Sequence, residues 1–375
     1  MKNILQLVIS PPLIDGKNSI TGPERRAARL AGKWKDHGFN LIVCYPKRGR
    51  LNKDFQATST ETIDWEIGSK FNFKSALKLR KIIKQYNIDL VHSQGPASLD
   101  LILALACLFL KVKTVVTRPV MLSDQINYSS LRRRIYEVID QYVTLKLIHC
   151  FIAVSDNGQQ VLKNRYRVKA KKVKLIYNGV NTKKLTPDPI KSKNSKEFVI
   201  GMIGQLFPPK GWYDFIETID YIQQNTQTTI KAFVIGEGQM MAELKARVDQ
   251  KKLNHVIEFK GYIDNIKLML DQIDLILFTT HREGLSVAIL EAMSMGVPQV
   301  ITNVGGGKEQ IIDDVNGYVF EVGQIQQMGD KCIQLIESPS KLAELGKNAR
   351  EIALEKFSED SMFQNHLNVY NSLLK

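Results

Sequence analysis

The sequence is poor in the features that mark secreted, metal-bound and membrane-spanning proteins. Its 375 residues include four cysteines, Cys44, Cys107, Cys150 and Cys332, far apart and without a CxxC pair. This spacing gives neither a disulfide framework nor a zinc site and suits a reducing compartment. No apolar run approaches the roughly 18–20 residues that span a bilayer. The longest candidate, Leu101 to Leu110, has the length of a buried helix. Met1-Lys2-Asn3 followed by Ile4 to Ile9 has no small-residue cleavage site, and reads as a first strand rather than a signal peptide. Asp-x-Asp, a Walker P-loop and G-x-G-x-x-G are all missing. A phosphate site in this chain would therefore rest on helix ends and basic side chains, with no metal ligands.

What is present fits a globular protein: 44% of residues are hydrophobic and 24% charged. The length exceeds one ordinary core and suggests two domains. Charge divides the same way. Residues 1–185 hold 33 basic and 13 acidic side chains, a balance of +20; residues 186–375 hold 19 and 25, a balance of −6. The basic half calls for an anionic partner or a merely solvated lysine-rich face. No nucleic-acid motif with interleaved aromatics accompanies it, so nucleic acid is not an expected partner.

Short β-branched runs alternate with amphipathic stretches of helical length, the rhythm of parallel βαβ units. Strands are expected near Ile4–Ile9, Asn40–Cys44, Leu90–His92, Lys113–Thr117, Phe151–Val154 and Val173–Ile176. In the second half they recur near Phe198–Ile203, Ile230–Ile235, Val256–Phe259, Leu275–Phe278, Gln299–Ile301 and Tyr318–Phe320. First-half helices are expected near Glu24–His37, Lys74–Tyr86, Asp100–Leu110, Leu131–Ile148 and Asn157–Tyr166. The polar stretch Asn181 to Lys196 reads as a linker. The domains are then 1–186 and 187–357, with an amphipathic terminal helix from 358 to 375.

In open α/β sheets ligands gather beyond the carboxyl ends of the strands. Those ends carry Thr21-Gly22-Pro23-Glu24, Arg118-Pro119, Gly204 to Gly211, Gly236-Glu237-Gly238, His281 to Leu285 and Gly305 to Glu309. Ser286 is a good N-cap, and Gly296 closes a nearly apolar helix interrupted by Glu291. A carboxylate there needs a donor, supplied by ligand hydroxyls or by a neighbouring loop. The same helix start, with its free N–H groups, suits a phosphate. Lys210, between Pro209 and Gly211, displays a cation on a strand-end loop. His92 ends an apolar strand and reads as a core histidine rather than a base.

Taken together, these segments resemble the retaining family-4 glycosyltransferases of the GT-B fold. Glu283-Gly284-Leu285-Ser286-Val287-Ala288-Ile289-Leu290-Glu291-Ala292 resembles that family's E-x7-E element. Asn178-Gly179-Val180-Asn181, Gly236-Glu237-Gly238, Gly261-Tyr262, Gly296-Val297-Pro298 and Gly305 to Glu309 follow in family order. The resemblance implies an α/β architecture of two facing doubly wound, Rossmann-like domains with the active site between them. The terminal helix would cross back to the first domain.

By the same resemblance, the second domain binds a nucleoside diphosphate sugar, UDP-linked by preference, and the first binds the acceptor. Glu283 would contact the donor sugar and Glu291 the ribose. Lys210 would neutralise the diphosphate. Backbone amides at Gly22 and after Gly284, at Leu285, Ser286 and Val287, would hydrogen-bond it. Tyr262 and Ile263 would lie by the base. Gln205 stands where a basic residue is common, and Arg118 where a histidine is, so Arg118 would serve the diphosphate or an anionic acceptor. No cofactor or metal is implied. The expected reaction is retaining, metal-independent sugar transfer in envelope polysaccharide, lipopolysaccharide or glycolipid synthesis. The alternatives are a GT-B sugar-nucleotide epimerase and a degenerate nucleotide-sugar-binding protein. Arg132-Arg133-Arg134, the apolar residues that follow, and the basic stretch Lys163 to Lys172 suit an anionic membrane surface. Lipid-linked or nascent glycans are then natural acceptors for a cytoplasmic chain held peripherally at the inner face of the membrane.

Overall fold

The computed structural model describes residues 1–9, 20–65, 73–94, 98–118, 144–188 and 197–375. The chain forms two compact units, Met1–Tyr177 with Glu359–Lys375, and Asn178–Ser358.

The first unit is a seven-stranded parallel sheet in the order β3-β2-β1-β4-β5-β6-β7. Its strands are β1 (Lys2–Leu7), β2 (Phe39–Tyr45), β3 (Glu61–Asp64), β4 (Leu90–Ser93), β5 (Lys113–Arg118), β6 (Cys150–Ala153) and β7 (Val173–Leu175). Alternation along β1 explains why both faces are covered. Leu5 and Leu7 join one core, with Leu79 of the helix Phe73–Gln85 and Leu103 of the helix Ser98–Cys107. Ile4 and Val8 join the other, beneath helix α1 (Gly22–Ala31) and the terminal helix Glu359–Leu374. The terminal helix is held by aromatic packing, with Tyr370 stacked on Trp34 at 4.5 Å and Phe363 tilted against it at 4.9 Å.

The second unit is a six-stranded parallel sheet in the order β10-β9-β8-β11-β12-β13. Its strands are β8 (Phe198–Ile203), β9 (Ile230–Ile235), β10 (Ile257–Gly261), β11 (Leu275–Phe278), β12 (Gln299–Thr302) and β13 (Gly317–Phe320). Strand order reverses between β1 and β4 in one sheet and between β8 and β11 in the other. These are the switch points where doubly wound sheets open a crevice.

Several expectations change. β3 was not anticipated, because Glu61 to Asp64 forms a half-exposed edge strand with only one apolar side chain. The helices Asn52–Thr58 and Pro339–Lys356 were also missed; the longer one buries only Leu345, Gly346, Ala349 and Ala353, a weak apolar stripe. Helix α1 begins at Gly22, so Pro23 is its second residue, and a separate 3-10 turn covers Lys35–His37. The expected helix 131–148, with Arg132 to Arg134, lies outside the described residues up to position 143; beyond it Leu145–Leu147 form one helical turn. The boundary between units falls after Tyr177 instead of at 186. Asn178 donates to Leu285 O, Val180 to Phe357 O, and Ser294 to Leu185 O, which ties residues 178–185 to the second unit. No helix among the described residues is long and apolar enough to cross a membrane.

Candidate active site

In the second unit the loops after β8 and β11 meet at the switch point. Phe207 leads into a 3-10 turn, Pro208–Lys210, and Gly211 at φ +69° opens the helix Trp212–Asn225. A Cβ on Gly211 would stand 1.8 Å from Thr279 O, so only glycine allows this approach. Thr279 Oγ1 donates to Gly211 O at 2.8 Å, and His281 N and Thr280 Oγ1 donate to Pro209 O at 2.9 and 3.1 Å. His281 Nε2 also bonds Asp214 Oδ2 at 2.7 Å. This lashing brings together two residues 73 positions apart, and Lys210 Nζ forms an ion pair with the Glu283 carboxylate. Both side chains remain about one-fifth exposed, open to a ligand.

The loop after β12 backs this pair. Gly306 N donates to Gly284 O, and a Cβ on Gly305, at φ +55°, would sit 2.0 Å from Glu283 O. Beyond Gly284 the chain enters the helix Val287–Ser294, capped by Ser286 Oγ accepting from Ile289 N. Glu291 is buried in it at 7% exposure. Gln310, 1% exposed, clamps the helix start: its Oε1 accepts from Ser286 N at 3.1 Å and its Nε2 donates to Ser286 O at 2.7 Å. The Ser286 amide is thus committed within the protein, which removes it from the expected phosphate donors. The Leu285 and Val287 amides have no hydrogen-bond partner among the described residues. Half-buried Arg282, beside Glu283, likewise has no side-chain partner among them. Gln205 lies on the β8 loop, its carbonyl accepting from Trp212 Nε1 at 2.9 Å. Tyr262 and Ile263 follow β10, two strand spacings or roughly 10 Å from β8.

In the first unit, Gly22 and Arg118 lie at the carboxyl edge of the sheet. Thr21 and Glu24 form a reciprocal capping box around Gly22, and Glu24 Oε1 accepts from Tyr45 OH at 2.8 Å. A Cβ on Gly22 would meet nothing within 4 Å, so the local fold does not itself demand glycine there. Arg118 is 9% exposed and paired with fully buried Asp100 at 2.5 Å, a structural commitment that the sequence did not suggest. His92 is fully buried between Tyr370 OH at 2.5 Å and Thr117 Oγ1 at 2.7 Å. Burial, then the charges of His366 and Arg26, hold its pKa well below the ordinary histidine value, so it is a neutral core group.

Two sequence-family models match the chain, "Glycosyl transferases group 1" over residues 186–352 and "Glycosyltransferase Family 4" over residues 20–184. The chain belongs to the family-4 glycosyltransferases. It is similar to the poly(ribitol-phosphate) alpha-N-acetylglucosaminyltransferase of Staphylococcus aureus, 30% identical over 177 residues, 47% of this chain and 36% of that protein. It is 23% identical over 326 residues to the UDP-Gal:alpha-D-GlcNAc-diphosphoundecaprenol alpha-1,3-galactosyltransferase of Escherichia coli, 84% of this chain and 83% of that one. The chain thus spans about a third of the first relative and most of the second. Among solved structures, Anabaena HepE in complex with UDP-glucose matches with a TM-score of 0.82 at 21% identity, covering 99% of this chain and 100% of that one. This likeness shows the GT-B fold, two Rossmann-like domains.

The family assignment agrees with the sequence resemblance. Of the residues that resemblance singled out, the fold joins Lys210 to Glu283 and seats Glu283 to Glu291 on one loop and helix. Gln310, Asp214 and His281 carry the supporting contacts that sequence reasoning missed.

Proposed function

We propose that the chain transfers a sugar, with retention, from a nucleoside diphosphate sugar to an acceptor hydroxyl. The observation that carries this reading is the Lys210–Glu283 contact at the switch point, beside a helix start with unused amides. A donor diphosphate entering there exchanges one anion for another on Lys210. Glu283 is thereby released toward the donor sugar. Arg282 provides a second cation in place of the neutral Gln205, and the Leu285 and Val287 amides add fixed donors. Charge that builds on the departing diphosphate then meets groups already in place, the largest kind of catalytic contribution. Glu291 accepts from the ribose, and Tyr262 and Ile263 flank the base. Arg118 acts through its pair with Asp100 and shapes the acceptor side.

A UDP-sugar is the favoured donor, supported by the UDP-galactose in the name of the E. coli relative and the UDP-glucose bound by HepE. Diphosphoundecaprenol in that relative's name supports a lipid-linked or envelope glycan acceptor. We place the reaction at the cytoplasmic face of a bacterial-type membrane, without a metal. Purified chain with UDP-sugars and a lipid-linked acceptor tests the reading. Lys210→Ala should lower turnover at least tenfold at unchanged melting temperature, and EDTA should leave transfer intact. Lost stability with retained turnover would make Lys210 structural, and abolition by EDTA with rescue by a divalent ion would refute metal independence.

A further inference from the structure

At the opposite end of the first unit's strands from Gly22 and Arg118 lies an unbroken basic edge. The segments leading into β5, β6 and β7, residues 108–113, 144–150 and 165–174, hold nine lysines and arginines and no aspartate or glutamate. These three strands are consecutive neighbours, so the segments lie side by side. Lys172 Nζ joins two of them, donating to Lys146 O and Ile148 O at 2.8 and 2.7 Å. The charges also act on each other: after burial, Lys113 and Lys172 lower the pKa of His149, and Lys169 and Lys171 lower that of Lys172.

Two large apolar side chains stand on the same edge, Phe109 at 93% exposure and Leu147 at 37%. Phe109 has φ +61°, a left-handed conformation that a bulky residue rarely adopts. Arg80 braces this turn, its Nη1 donating to Ala106 O at 3.1 Å and Leu108 O at 2.7 Å. A strained, braced turn that presents an aromatic ring to water among lysines is suited to a surface both apolar and anionic.

We propose that this edge docks on an anionic lipid bilayer. Phe109 and Leu147 enter the headgroup layer, and the surrounding lysines face lipid phosphates. The surface rests, for its role, on the reading that the chain glycosylates lipid-linked or envelope acceptors. A soluble polyanion would use the lysines but gain nothing from Phe109, which favours the bilayer. β5 is six residues long, about 20 Å, so docking here leaves the Gly22 end of the sheet uncovered.

Co-sedimentation of the full chain with phosphatidylglycerol-containing and pure phosphatidylcholine vesicles tests this, beside titration of a UDP-sugar in solution. Binding is expected only to the anionic vesicles and should weaken with salt. Phe109→Ser should lower partitioning roughly tenfold. Lys169→Ala with Lys171→Ala should lower it about 25-fold, roughly fivefold per lysine. Both changes should leave the melting temperature and donor binding unaltered. Negligible binding to both vesicle types would overturn the proposal. So would unchanged binding of Phe109→Ser with displacement by polyphosphate, which would mark a polyanion site. Vesicle binding without UDP-sugar binding would sink the glycosyltransferase reading instead and leave the docking surface standing.

Discussion

Replacing Gln310 by leucine keeps its volume and removes both hydrogen bonds that hold the start of the helix Val287–Ser294. Ser286 N loses its only partner among the described residues, whereas Ser286 O retains a 3.3 Å bond from Leu290 N. An orphaned buried backbone group costs about 1–3 kcal/mol, and a weakened second one adds less. The loss should therefore total roughly 2–4 kcal/mol. For a unit the size of Asn178–Ser358 each kcal/mol moves the midpoint by about 2–4 °C, so melting should fall by roughly 4–16 °C. Because the clamp sets the strand-to-helix entry beside Glu283, UDP-sugar affinity should fall as well. Gln310→Glu keeps an acceptor for Ser286 N but sets a carboxylate oxygen against Ser286 O, and should be at least as damaging. Scanning calorimetry with donor titration measures both effects. A Gln310→Leu protein that melts and binds donor like the parent would show that the clamp has no consequence.

Arg118→Met should cost about 3–5 kcal/mol, because it removes the cation paired with fully buried Asp100; unchanged stability with lost transfer would instead make Arg118 a direct ligand of the substrate. Acid should destabilise the first unit. His366 has its folded pKa lowered to about 4 by burial, and His92 lies well below the usual value, whereas both titrate near 6.5 when unfolded. Above that pH neither state binds protons and nothing is lost; as pH falls below it the unfolded chain takes up protons that the folded one refuses. His366 alone then removes about 2 kcal/mol between pH 7 and 5, with His92 acting in the same direction. Urea midpoints that stay flat over this interval would contradict the assigned burial.

The sheets were legible because fully buried parallel strands read as short apolar runs, and each reappears within a few residues of its expected place. The edge strand β3 and the helix Pro339–Lys356 were not, since one is half solvated and the other packs through small residues. At the site, glycines and prolines revealed the loops, and Ser286 as an N-cap revealed the helix start. The Lys210–Glu283 pair and the Gln310 clamp join positions 73 and 24 residues apart and leave no local pattern. Arg118 read as a ligand-facing cation because its partner Asp100 sits inside an otherwise apolar helix, where nothing in the sequence links the two.

The central claim is that the loop and helix from Glu283 to Glu291 hold a nucleoside diphosphate sugar. Calorimetric titration of UDP-sugars into the parent chain and into Glu291→Gln tests it most directly. The parent should bind saturably, and the variant, lacking a charged acceptor for the ribose hydroxyls, should bind about tenfold to hundredfold more weakly, the worth of roughly 1.5–3 kcal/mol. Equal affinity in the two proteins, or no binding by either, would contradict the account.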